Sequence, residues 1–76
     1  MYIYPNPTTD YINIRLNNEN NNEFIISLLD DQGKILKEFT TNSSYIQLPV
    51  SEMPRGLFYL RICSDHLIHI KKLIIL

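Results

Sequence analysis

The chain has 76 residues, 45% of them apolar and 20% charged, with a formal net charge of −1. That length admits a single domain, the apolar content excludes a disordered tail, and the near-neutral charge offers no field to gather nucleic acid or an anionic membrane. Cys63 is the one cysteine, which excludes an internal disulfide and a zinc cluster built from cysteines.

Met1 to Tyr4 is expected to form a short first strand, ended by Pro5-Asn6-Pro7. Each proline fixes its own φ and drives the residue before it into extended geometry. The tripeptide reads either as a recognition motif or as a rigid corner, and local chemistry favours the corner. Thr8-Thr9-Asp10 carries the bend on with side chains that bond nearby backbone. Tyr2-Ile3-Tyr4 running straight into Pro5 has neither the basic region nor the apolar core of a signal peptide. No apolar run approaches the roughly 18 residues a membrane helix needs.

Tyr11 to Leu16 alternates cleanly, which predicts a half-buried strand with Ile12, Ile14 and Leu16 inward. The asparagine-rich tract from Asn17 to Glu23 then breaks every pattern and is expected to be an exposed loop. Phe24 to Leu29 is a second strong strand with Phe24, Ile26 and Leu28 on one face. Ile25 and Leu29 on the other predict cover on both sides for part of its length. Asp30-Asp31-Gln32-Gly33 reads as a hairpin turn with Gly33 left-handed. A calcium loop would need six or more oxygen ligands at wider spacing. Lys34 to Phe39 is its returning partner, with Ile35 and Leu36 splitting the two faces less cleanly, and Thr40 to Ser44 is expected to be loop. Tyr45 to Leu48 reads as an edge strand stopped by Pro49.

Gly56 to Ile62 is expected to be the central strand, with Phe58, Leu60 and Ile62 on its buried face and Leu57, Tyr59 and Arg61 on the other. Pro49 and Pro54 bracket its approach, and Gly56 is placed where the backbone needs φ > 0. Ser64-Asp65-His66 is a turn. Leu67 to Leu76, rich in isoleucine, is a last strand with Lys71-Lys72 as a gatekeeper pair. About seven short strands with almost no helix signal predict an all-β fold, a small antiparallel β-sandwich.

Catalytic parts are scarce. Cys63, Asp65, His66 and His69 have the residue types of a zinc site, but residues three apart on a strand point to opposite faces. Ser64, Asp65 and His66 are adjacent in sequence, whereas a nucleophilic triad meets from separate segments. With only Gly33 and Gly56 there is no glycine-rich phosphate loop. Neither an enzyme nor a bound cofactor is expected.

The order of the pieces says more. Tyr4-Pro5-Asn6-Pro7, Asp10-Tyr11-Ile12-Asn13-Ile14, Leu28-Leu29-Asp30 with Gly33-Lys34, Leu48 to Ser51, Gly56 to Ile62 and Lys71-Lys72-Leu73-Ile74 together resemble the C-terminal sorting domain of type IX secretion cargo. The resemblance implies an immunoglobulin-like sandwich, residues 1–76 as one domain, at the C-terminus of a larger secreted protein. In that family the domain is an address label in Gram-negative bacteria. Cargo reaches the periplasm by its own signal peptide, crosses an outer-membrane translocon, and is released or anchored at the surface by a sortase-like cysteine protease that removes the label. The cleaved bond would then lie at or before Met1.

Carried onto this chain, the motif positions are Pro5, Asn6, Pro7, Asp30, Gly33, Gly56, Phe58 and Lys72, with Phe58 standing where the family more often has tyrosine. The terminal strand, through Lys71, Leu73, Ile74 and Ile75, is a candidate edge for pairing with a partner's sheet. Two other classes fit a sandwich of this size. One is an adhesion or carbohydrate-binding module with its tyrosines as an exposed platform; the other is a structural spacer beside a catalytic domain.

Overall fold

A computed structural model describes residues 2–17, 22–65 and 67–76, so the expectations for Met1, the centre of the asparagine tract and His66 lie outside the described residues. Seven strands follow one another: β1 (Tyr2–Tyr4), β2 (Tyr11–Arg15), β3 (Phe24–Leu29), β4 (Ile35–Thr41), β5 (Tyr45–Pro49), β6 (Gly56–Cys63) and β7 (Ile68–Ile75). They form two antiparallel sheets, ordered β1-β2-β5 and β4-β3-β6-β7. The sheets face each other across one core, as an immunoglobulin-like β-sandwich. No helix among the described residues is long and apolar enough to cross a membrane.

The alternation that marks the strands also builds the core. Ile12, Ile14, Leu16, Leu48 and Val50 come from the smaller sheet and its flanks, and meet Phe24, Ile26, Leu28, Phe58, Leu60, Ile62, Leu73 and Ile75 from the larger one. Ile12, Ile14, Ile26 and Leu60 have no exposed surface at all. Each such side chain contributes roughly 1.5–3 kcal/mol of burial. β6 lies between β3 and β7, as expected of the central strand, and its pairing with β7 runs unbroken from Gly56↔Ile75 to Cys63↔Ile68.

The outer cover expected of β3 is present for part of its length, at buried Ser27 and half-buried Leu29, but not at Ile25, which is 44% exposed. The Ser27 hydroxyl donates to Glu38 Oε2 at 2.6 Å, and Arg61 reaches both groups from β6. Polar side chains from the two flanking strands thus do what a second apolar layer was expected to do. The loop expected from Thr40 is corrected: Thr40 and Thr41 belong to β4, paired with Ile25 and Phe24. Ile35 and Leu36 do split the faces less cleanly than a regular strand: the register shifts between Leu28 and Leu29, and both side chains stay exposed. An extra residue in one strand re-aims those beside it.

Candidate functional site

Register places the ends of the strands. Leu29 lies opposite Tyr59, Tyr59 opposite Lys72, and Gly56 opposite Ile75. In the smaller sheet β2 begins at Tyr11, opposite Pro49, the last residue of β5. The 5–10 corner, the 30–34 turn, the connection before Gly56 and the last residues of β7 therefore come to the same pole of the sandwich. Pro5, Asn6, Pro7, Asp30, Gly33 and Gly56 sit at or next to that pole, Phe58 lies just inside it opposite Leu73, and Lys72 lies one residue further in, opposite Tyr59.

The pole is held by a clasp between the chain's two ends. Both Tyr4–Pro5 and Asn6–Pro7 are cis, and the segment lies against the edge of β7. There the Asn6 amide nitrogen donates to the Lys72 carbonyl at 2.8 Å, and its oxygen accepts from the Ile74 N–H at 3.1 Å. Thr8 continues as a parallel bridge to Ile75: its N–H donates to the Ile74 carbonyl at 3.0 Å, and its carbonyl accepts from the Leu76 N–H at 2.8 Å. Thr8 is buried, and its hydroxyl donates to the Tyr11 carbonyl at 2.6 Å. Nothing in the sequence pattern marks Thr8, because its partners are backbone groups at the far end of the chain.

The other motif residues serve the frame. The Asp30 carboxylate accepts from the Gln32 and Lys34 N–H groups, both at 2.9 Å, which closes the β3–β4 turn and leaves Gly33 at φ 83°. Gly56 opens β6 at φ 139°. Phe58 is buried opposite Leu73, while the Lys72 side chain shares the exposed outer face with Tyr59. Of the candidate pairing edge, Leu73 and Ile75 are buried, Lys71 and Ile74 are exposed, and the backbone of Ile74 is already engaged by Asn6 and Thr8.

Of the zinc-like set, His66 lies outside the described residues, and Cys63 and His69 are not brought together. Cys63 lies opposite Ile68 on the outer face and His69 opposite Ile62 on the inner one, and no group of three metal-ligating side chains forms among the described residues. The tyrosines of the smaller sheet do share a face. Tyr2, Tyr4, Tyr11 and Tyr45 are all substantially exposed, yet two of their hydroxyls are bonded within the sheet. Arg15 Nε donates to the Tyr4 hydroxyl at 2.7 Å and the Arg15 guanidinium stacks 4.8 Å from the Tyr45 ring centroid. The Tyr45 hydroxyl donates to Asn13 Oδ1, and the Asn13 amide nitrogen donates to the Tyr4 carbonyl at 3.2 Å. Alternation predicted an exposed Asn13; it is instead buried under this network.

The family model described as a secretion system C-terminal sorting domain matches residues 2–76. The chain belongs to that family, whose members carry a type IX secretion sorting signal to the cell surface or beyond. None of the curated proteins matches it.

Proposed function

We propose that this domain, as a member of the sorting family, is a non-catalytic address that takes an attached N-terminal cargo through the type IX outer-membrane translocon and is then removed by a sortase-like cysteine protease. The cargo reaches the periplasm first, by its own signal peptide. The pole bearing Pro5, Asn6, Pro7 and Lys72 is the part the machinery reads, and Asp30, Gly33, Gly56 and Phe58 hold that pole in shape. The observation that carries this reading is the convergence of motif residues from both ends of the chain on one solvent-facing pole, in a chain whose family match spans its length. The tyrosine face supports a glycan platform less well, because the Tyr4 and Tyr45 hydroxyls are already committed to the domain's own side chains.

A transfer experiment tests it. Residues 1–76 are fused behind a signal peptide and a fluorescent protein, in a bacterium with type IX secretion and in a translocon mutant of it. Fluorescence at the surface or in the medium of the intact strain alone is the expected result; fluorescence trapped in the periplasm of both overturns the reading. Lys72→Ala separates recognition from folding, since only the backbone of Lys72 takes part in the clasp. Reduced export with an unchanged unfolding midpoint is expected.

A further inference from the structure

β7 is an edge strand, and the clasp covers only part of it. At Ile74 both the N–H and the carbonyl leave the sheet, toward Asn6 and Thr8. The β6–β7 register has no break, so with the period of two in an antiparallel ladder the N–H and carbonyl of Ile70 and of Ile68 also point outward. Among the described residues no strand lies beside that half. The side chains of Ile68 and Ile70 are 69% and 60% exposed and share the outer face with Cys63 and Arg61. Lys71 projects on the opposite face, beside Leu60's position in the register, and Lys72 on the outer one. Neither lysine meets a carboxylate among the described residues.

We propose that the Ile68–Lys71 half of β7 is a strand-addition site for an extended segment of another polypeptide in which apolar residues alternate with carboxylates. The open backbone groups select an extended chain. Apolar residues opposite Ile68 and Ile70 continue the outer apolar strip, and carboxylates on the alternate positions face Lys71, giving opposite-charge cross-strand pairs. A second copy of this chain fits less well: Leu67–Lys72 carries no carboxylate, so antiparallel self-pairing centred on His69 or Ile70 sets Lys71 opposite Leu67 or His69. The clasp fixes the site's length, since Asn6 occupies the edge from Lys72 onward. The site stands independently of the sorting reading and is tested without secretion.

The test titrates the isotope-labelled chain with a synthetic nonapeptide alternating valine and glutamate, followed by amide chemical shifts. Shifts concentrated on Ile68–Lys72 are expected, with affinity weakened at least about fivefold when lysine replaces glutamate in the peptide. Ile70→Pro removes only an outward-facing donor, a place where an edge strand tolerates proline, and is expected to abolish binding while core amide shifts stay put. Should that variant unfold, Ile70→Glu leaves the backbone intact, removes the apolar contact and repels the peptide carboxylates, and is expected to weaken binding. No binding at millimolar peptide, shifts centred elsewhere, or equal affinity for the lysine peptide overturns the proposal. So does a concentration-dependent shift of the same residues without peptide, which would assign the edge to a second copy.

Discussion

Asn6 stands beside Ile74 where a further strand would stand, offering one amide in place of a backbone: its nitrogen serves the Lys72 carbonyl and its oxygen the Ile74 N–H. A corner near one end of the chain thereby closes the sheet edge formed by the other. Replacing it tests how much the clasp contributes. Asn6→Ala removes both bonds, each worth about 0.5–1.5 kcal/mol net and here solvent-exposed, so a loss of about 1–2 kcal/mol is expected from the urea midpoint. Hydrogen exchange at the Ile74 amide should accelerate at the same time. An unchanged midpoint with unchanged exchange would mean that Thr8 alone holds the edge.

The two glycines separate by the same substitution. A Cβ built on either meets nothing within 4 Å, so sterics with neighbours play no part and only the backbone is strained. Alanine at Gly33 or Gly56 should cost about 1 kcal/mol. Asparagine tolerates the left-handed region near the φ of 83° at Gly33, but not 139° at Gly56. Gly33→Asn should therefore recover most of the alanine loss and Gly56→Asn should not. Equal behaviour of the two asparagine variants in denaturant melts would contradict the assigned backbone angles.

Phe58 is a core residue whatever else its family position implies. It is 6% exposed in the strand that both neighbours of the larger sheet pack beside. Phe58→Ala should lose about 3–5 kcal/mol, a large share of the roughly 5–15 kcal/mol that holds a domain folded. Thermal unfolding measures it, and a loss below about 1 kcal/mol would show that the core closes over the gap.

Asn13 and Tyr45 should be energetically coupled. Tyr45→Phe leaves the buried Asn13 oxygen with only the longer contact to Gln47 at 3.4 Å, which should cost about 1 kcal/mol. In a cycle with Asn13→Ala the two losses should fall short of additivity by about 0.5 kcal/mol or more. Strict additivity would mean that the network on the tyrosine face holds no joint energy.

Much of this was legible from alternation, because a two-residue period records directly which face of a strand is buried. Ile12, Ile14 and Leu16, then Phe24, Ile26 and Leu28, then Phe58, Leu60 and Ile62 all lie inward as their spacing predicts. Gly33 and Gly56 declared positive φ because few other residues accept it. What stayed hidden depends on partners distant in sequence. Asn13 and Ser27 are polar at positions that alternation assigns to solvent, and become buried only when Tyr45 or Glu38 and Arg61 arrive from other strands. The bulge beside Leu29 shifts the faces of Ile35 and Leu36 through a local register change that no residue type announces. The resemblance identified which residues to watch, but that they collect at one pole follows from register alone.

The direction of β1 has a mechanical consequence. Tyr2 lies opposite Arg15, at the end of the sandwich away from Gly56 and Ile75, and β1 then runs toward the clasp. Tyr2 is four residues ahead of Asn6, a reach of at most roughly 14 Å, so a body joined ahead of Tyr2 is set back by no more than about that length from the Asn6 clasp at Lys72. Were the domain read at its clasped pole, a body fused ahead of Tyr2 would approach from the far end of the smaller sheet and leave the Asn6 clasp open to a partner.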